Sequence, residues 1–295
     1  MPEFLIFQSL WAMLDHRGRC ELSLEAQLEK IAAAGFDGIT DHFWVTDHVQ
    51  HLSSAARAQG LQIEGQLFPR SVDDLARAID VISPHGCHHL TLQADVQPRT
   101  LRQAIDLLEG WQRLAEQADF PILVETHRYR LTSDLLFTLD ILAEMPDLKL
   151  LADLSHYVVG RELPVPAISQ DEEYLQTILR HSWGFHGRVA SSEQVQIPIT
   201  FAQHQPWLDY FLKLWRYGIE DWLSRPVNET GSLSFTCELG PPPYAITGAD
   251  GRDITDRWAE ALLLKQLMSE IWQECQAGAQ RPGIFKAATK SRRLS

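Results

Sequence analysis

The strongest constraint on how this chain folds is a rhythm. Short apolar runs alternate along its whole length with longer segments in which apolar residues recur at helical spacing. Eight such runs read as strands: FLIFQSL, FDGIT, LQIEGQLF, HLTLQA, PILVETH, LKLLADLSHY, WGFHGRVAS and LSFTCELG. Between them, Leu24, Leu28 and Ile31 precede Gly35, which supplies a left-handed helix end, and Leu75, Ile79 and Ile82 repeat the pattern. Ser133 is expected to cap a helix carrying Leu135, Leu139 and Leu142 that Pro146 closes, and Trp258, Leu262 and Ile271 mark the last helix. A strand that follows another in parallel needs a crossover helix, and eight such units closed on themselves leave no sheet edge exposed. The expectation is therefore an α/β fold, a single (β/α)8 TIM barrel over residues 1–280 with a C-terminal tail at 281–295. A doubly wound open sheet is the structural alternative.

Composition narrows the class. With 45% hydrophobic and 22% charged residues, the 295-residue chain reads as an ordinary soluble globule, and no apolar stretch reaches the ~20 residues a membrane span needs. The apolar N-terminus carries Glu3 and lacks a basic leader, so it reads as a strand. A formal charge of −13 repels phosphate backbones and argues against a nucleic-acid partner. The basic stretch KAATKSRRLS reads as a solvated end. Cys20, Cys87, Cys237 and Cys275 form no CxxC pair, consistent with reduced thiols in a cytoplasm.

In a barrel of this kind chemistry sits at the C-terminal ends of the strands. Four polar residues interrupt strands five to eight late in their apolar runs: Glu125, Asp153, His186 and Glu238. They lie 28, 33 and 52 positions apart in sequence, yet consecutive strands are neighbours, so all four are expected to converge. Three crowded carboxylates repel one another, and a divalent cation resolves the conflict. Oxygen-rich ligation with one histidine suits Mn²⁺ or Mg²⁺, with Co²⁺ and Zn²⁺ also compatible. The competing reading treats each carboxylate as a structural cap or salt-bridge partner.

Other residues fall near the same end. Gln66, Arg70 and Gln93 end the third and fourth strands, where a polyol needs hydrogen-bond partners. Arg188 offers a fork suited to bidentate oxygens, with a surface salt bridge as the plainer alternative. His127 faces the mouth by strand alternation. Asp41, His42 and His48 are assigned to a solvated early loop, and Trp11 and Trp44 suit either stacking on a sugar face or core packing. The three prolines of GPPPY stiffen the exit from the eighth strand behind Glu238, with Tyr244 at the pocket border or in simple packing.

The ordered series Glu125, Asp153 with His156, His186 and Glu238 resembles the xylose isomerase-like superfamily, the group of sugar isomerases, epimerases and endonuclease IV-type barrels. The resemblance spans nearly the full length. It implies a metal held by Glu125, Asp153, His186 and Glu238, with the two glutamates as acid and base around a metal-stabilised enediolate. It further implies a substrate contact from His156; Arg188, His127 and Gln93 stand beside it as substrate-binding candidates by their own chemistry and position. His156 reads equally as a donor holding Asp153 in place. The group's members often self-associate, so a homo-oligomer is possible by resemblance, although no exposed apolar helix stripe marks an interface.

Two departures bear on activity. The stretch RVASSEQVQIP lacks the Asp-x-His that endonuclease IV-like enzymes carry after the seventh strand, and Leu131 stands where typical ketose epimerases have a second glutamate. The expected function is a divalent-metal-dependent isomerase or epimerase of a sugar, sugar acid or related polyhydroxy carbonyl compound. The alternatives are a lyase (dehydratase) or hydrolase on the same site, or a non-catalytic sugar-binding barrel.

Overall fold

A computed structural model of the protein describes residues 2–43, 46–226 and 231–279; Trp44 and the tail at 281–295 lie outside the described residues. Eight strands, β1 (Glu3–Ser9), β2 (Gly38–His42), β3 (Gln62–Leu67), β4 (His89–Leu92), β5 (Ile122–Glu125), β6 (Leu150–Ala152), β7 (Ser182–Gly187) and β8 (Ser232–Cys237), pair in parallel in sequence order. β1 then pairs with β8 from Glu3↔Ser232 to Gln8↔Cys237, which closes the barrel. The fold is a single (β/α)8 TIM barrel, and the doubly wound alternative is excluded by that closing ladder.

Helices α1 (Leu24–Ala33), α2 (Thr46–Ala58), α3 (Val72–Ile82), α4 (Leu101–Ala115), α5 (Leu135–Glu144), α6 (Ser155–Gly160), α7 (Ser169–Arg180), α8 (Gln205–Ser224) and α9 (Arg257–Ala279) fill the crossovers. Hydroxyl and carboxylate caps start several of them. Ser23, Ser71 and Thr100 each accept a bond from the backbone N–H three residues on. Gly35, at φ +72°, ends α1 in the left-handed region as its position predicts. No helix among the described residues is long and apolar enough to cross a membrane.

Four details depart from the sequence reading. The sixth strand stops at Ala152, and the chain turns into α6, because Asp153 accepts from the Ser155 N–H and hydroxyl and takes the backbone out of the ladder. His156 therefore rides on a helix. Asp134 caps α5, accepting from Phe137 N–H, while the Ser133 hydroxyl accepts from Tyr129 N–H in the preceding turn. Asp41 and His42 end strand β2, with His48 on α2 bonded to Asp41 at 2.8 Å, so the assigned loop is regular structure. Leu262 is exposed, since α9 buries the stripe Ala261, Leu264, Met268, Ile271 and Cys275.

Strand alternation decides what the barrel holds. Ile63 on β3 belongs to the apolar core, whereas Glu64 and Gln66 make their bonds across the barrel to β7 and β8. Residues two apart on several strands thus build successive inward layers. Glu64, Thr91, His186 and Thr236 form one, and Gln66, Arg188 and Glu238 the next toward the C-terminal mouth.

Candidate metal centre

The four residues that interrupt strands five to eight do meet. Glu125, Asp153, His186 and Glu238 are buried, and each offers a ligand atom within 4.8 Å of the others'. The burial of three carboxylates is tolerable only with compensating charge and hydrogen bonds. Arg188 supplies much of this. It is 1% exposed, its Nη1 donates to Asp153 Oδ2 at 2.9 Å, its Nη2 to Glu238 Oε2 at 2.6 Å and its Nε to the Glu238 carbonyl at 3.0 Å. The alternative of a surface salt bridge for this residue is thus overturned by depth: the alternation of β7 points Arg188 into the barrel, one layer nearer the mouth than His186. Most of its donors are spent on protein acceptors, which makes the guanidinium chiefly a brace between β6, β7 and β8.

Glu238 is held at both oxygens, since Gln66 Nε2 donates to its Oε1 at 2.8 Å. Asp153 is likewise engaged at both, its Oδ1 by Ser155. Glu125 differs. Neither of its oxygens has a hydrogen-bond partner, and the same holds for His186 Nδ1, which lies 3.4 Å from Glu125 Oε1 and 3.2 Å from Glu238 Oε2. Unpartnered buried donors and acceptors are costly, and several converging on one point fit a cation. The charges agree with this fit. With His186 neutral, three carboxylates and the Arg188 guanidinium leave two negative charges, the complement of a divalent ion.

Sequence reasoning missed Glu64. It is fully buried in mid-β3, its Oε1 faces His186 Nε2 at 2.8 Å, and the hydroxyls of Thr91 and Thr236 donate to its two oxygens at 2.6 Å. A carboxylate opposite Nε2 keeps the proton on that nitrogen and turns Nδ1 toward the cluster. Glu64 lies one layer deeper than the late strand positions where barrel chemistry is expected. The signal was available in QIEGQL, where Glu64 and Gln66 share a face. Below Glu64, His89 Nε2 lies 3.6 Å from Oε1, and His89 Nδ1 meets His88 Nδ1 at 2.7 Å.

The electrostatics follow from depth and neighbours. Burial raises the Glu125 carboxyl to about 7, against the pull of His186, with Glu238 and Asp153 adding to the rise. Burial also opposes charge on Glu238, but His186 and Arg188 outweigh it and hold that carboxyl well below its ordinary range. Asp153 is raised by burial despite Arg188. His186 is pushed down by burial, yet the carboxylates of Glu238, Glu64 and Glu125 prevail and hold it well above its ordinary value. Burial lowers His127 to about 3 and takes His156 well below its usual range.

A cavity of about 220 Å³ opens above the cluster, lined by Trp11, His42, Phe68, Gln93, His127, Arg130, Arg188, Glu238 and Tyr244. Gln93 and His127 therefore reach the mouth. The His127 and His156 rings stack with centroids 3.8 Å apart, and His156 Nε2 lies 3.5 Å from Asp153 Oδ2, placing His156 behind His127. Trp11 packs edge-on against Tyr244 at 5.1 Å and lies flush on Gly240, where a Cβ would overlap the indole. That contact gives the proline-stiffened exit from β8 its reason for a glycine. Arg70 is not in the cavity; it is largely exposed and pairs with Asp95 at 2.8 Å.

No protein-family model matches the chain, and no curated protein matches it. Solved structures do match. L-ribulose 3-epimerase superposes with a TM-score of 0.60 at 13% identity, over 99% of this chain and 100% of that one. A xylose isomerase-like TIM barrel protein from Mycobacterium smegmatis in complex with magnesium gives 0.58 at 14%, over 91% and 97%. A sugar phosphate isomerase/epimerase from Parabacteroides distasonis gives 0.56 at 11%, over 96% and 97%. A dehydratase and an AP endonuclease are also among the neighbours. The neighbours share this chain's (β/α)8 barrel fold, and two of them are by description a sugar epimerase and a sugar phosphate isomerase/epimerase.

Proposed function

We propose that the protein is a divalent-metal-dependent isomerase or epimerase of a small polyhydroxy carbonyl compound, a sugar or sugar acid. One observation carries the reading: Glu125, Asp153, His186 and Glu238 converge beneath an open cavity, with both Glu125 oxygens and His186 Nδ1 unpartnered. These four residues would hold the ion, and the oxygen-rich set suits Mn²⁺ or Mg²⁺ with Co²⁺ and Zn²⁺ also compatible. When bound, it supplies Lewis-acid polarisation of a carbonyl and its neighbouring hydroxyl.

The chain's own residues supply the proton chemistry. Glu125, titrating near neutrality and free of hydrogen bonds, takes a proton from the carbon beside the carbonyl. Glu238, at the end of β8 on the other side of the cluster, is ionised at rest under the pull of His186 and Arg188 and delivers to its own face a proton that it first takes from solvent. Two carboxylates acting from two directions allow inversion at that carbon or migration of the carbonyl. Gln93 and His127 face substrate oxygens; the neutral His127 ring gives its Nδ1–H to the Arg128 carbonyl and leaves Nε2 to accept from a substrate hydroxyl, while buried His156 backs the His127 ring. Arg188 contributes mainly by fixing Asp153 and Glu238.

The test is incubation of Mn²⁺-saturated protein with a sugar and sugar-acid panel in D₂O. Isomerisation gives product of unchanged composition with deuterium at one carbon, and Glu125→Gln and Glu238→Gln each abolish it. No exchange across the panel would refute the reading. Exchange with loss of water from the product would assign the same residues to a dehydratase.

A further inference from the structure

The cavity mouth carries charge that the proton chemistry does not use. Arg128 and Arg130 sit in the turn that follows β5, on either side of Tyr129. Arg128 makes no ion pair among the described residues; its guanidinium lies 5.1 Å from the Tyr244 ring that lines the cavity. Arg130 lines the cavity directly, 5.5 Å from the Phe68 ring. Its one acidic partner among the described residues, Asp95 at 3.1 Å, is shared with Arg70, and its Nε is buried without a hydrogen-bond partner there. Two arginines against one shared carboxylate, plus the unpaired Arg128, leave an excess of positive charge in a protein of net charge −13. A divalent ion at the centre would offset the two negative charges left by Glu125, Asp153, Glu238 and Arg188, while Glu64 lies one layer deeper, bonded to His186, Thr91 and Thr236.

The turn that carries both arginines is held in one conformation. Tyr129 adopts φ +60°, a left-handed conformation that aromatic residues rarely take. The strained turn is clamped by Tyr129 N–H donating to Ser133 Oγ at 2.9 Å, His127 N–H to Thr132 Oγ1 at 3.1 Å, and Thr132 Oγ1 to the Glu125 carbonyl at 2.6 Å. The clamp thus ties the arginine turn to the residue at the end of β5. Aromatic faces under both guanidiniums lower the local dielectric and strengthen their pull on an anion.

We infer that the substrate carries an anionic oxygen group, a carboxylate or phosphate on a polyhydroxy chain, and that Arg128 and Arg130 receive it at the mouth of the cavity. The inference rests on the reading of the barrel centre given above and narrows its substrate class from sugars at large to their acids or phosphates. Calorimetric titration of the Mn²⁺-loaded protein with D-gluconate, D-galactonate and D-glucitol 6-phosphate, beside the neutral D-glucitol and galactitol, tests it. The expected result is anion binding roughly tenfold or more tighter than the matching neutral polyol, a preference that shrinks with added salt. Whether the acids or the phosphate bind decides which anion the mouth takes.

The double variant Arg128→Gln with Arg130→Gln is expected to lose the preference with Mn²⁺ affinity unchanged, and Arg128→Lys with Arg130→Lys to retain most of it. Equal binding of charged and neutral probes by the wild type overturns the inference, as does a preference that survives the glutamine pair. Mn²⁺ binding without anion preference sinks this inference and leaves the metal reading standing. Anion preference without Mn²⁺ binding supports the cationic mouth and sinks the metal reading.

Discussion

If Glu125 is a cation ligand, metal affinity must fall steeply as pH drops below neutrality. Its carboxyl titrates at about 7 in the metal-free protein, so a cation arriving below that pH must displace a proton. The competition weakens binding by a factor of 1 + 10^(pKa − pH), roughly a hundredfold at pH 5 and about twofold at pH 7, so affinity changes by about fiftyfold, about 2.3 kcal/mol, across those two units. The sign is fixed: affinity rises with pH toward 7 and flattens above it as far as Glu125 is concerned. His186 adds to the slope, because its carboxylate neighbours hold it charged above its ordinary range and it too must shed a proton before ligating. Glu238, held well below the usual range, adds nothing between pH 5 and 8. Calorimetric Mn²⁺ titrations at pH 5, 6, 7 and 8, in buffers of different ionisation enthalpy, give both affinity and protons released. Glu125→Gln should release one proton fewer and bind with a shallower pH slope. An affinity that is flat from pH 5 to 8, or the same slope in Glu125→Gln, would refute the assignment of Glu125 as the ligand that competes with protons.

Three further perturbations probe the supports of the site. Glu64→Gln keeps the shape but replaces the charged acceptor of His186 Nε2–H with a neutral amide, and should weaken Mn²⁺ binding by roughly 10–100-fold with the fold intact by circular dichroism; unchanged affinity would show that the Glu64 charge does not set the tautomer. Arg188→Met leaves Asp153 and Glu238 buried without their cation and should cost about 3–5 kcal/mol in urea unfolding of the metal-free protein, with part of the loss recovered in Mn²⁺; a cost below about 1 kcal/mol would mean the two carboxylates are satisfied without it. Gly240→Ala forces a methyl group into the Trp11 indole and should destabilise by roughly 1–3 kcal/mol, visible as a lower melting temperature, whereas a neutral effect would show that the exit from β8 yields easily.

How much of this was legible beforehand differs by level. The alternation of apolar runs and helical segments carries the barrel, because hydrophobic period and crossover length are local properties of the chain. The four residues of the centre were legible for the same reason: Glu125, Asp153, His186 and Glu238 break apolar runs near strand ends, and sequential strands are neighbours. Strand length was less legible, since β6 ends at Ala152 through a side-chain bond from Ser155 that competes with the ladder. The cap of α5 slipped by one residue because Ser133 and Asp134 are both good caps and the preceding turn claims the serine.

The sequence by itself determined the order of elements, the closure of the sheet and the identity of the residues that gather at its C-terminal end. Only the tertiary structure decided how those residues are held. Glu64 reaches His186 across 122 positions, Gln66 reaches Glu238 across 172, and Arg188 spans Asp153 and Glu238. The reason is physical: local periodicity says which face of a strand is inward, but not which inward side chains from non-adjacent strands fall at bonding distance. That depends on barrel stagger and on the layer each residue occupies. Whether Glu125 is left unpartnered while Glu238 is bonded at both oxygens is settled at that level alone.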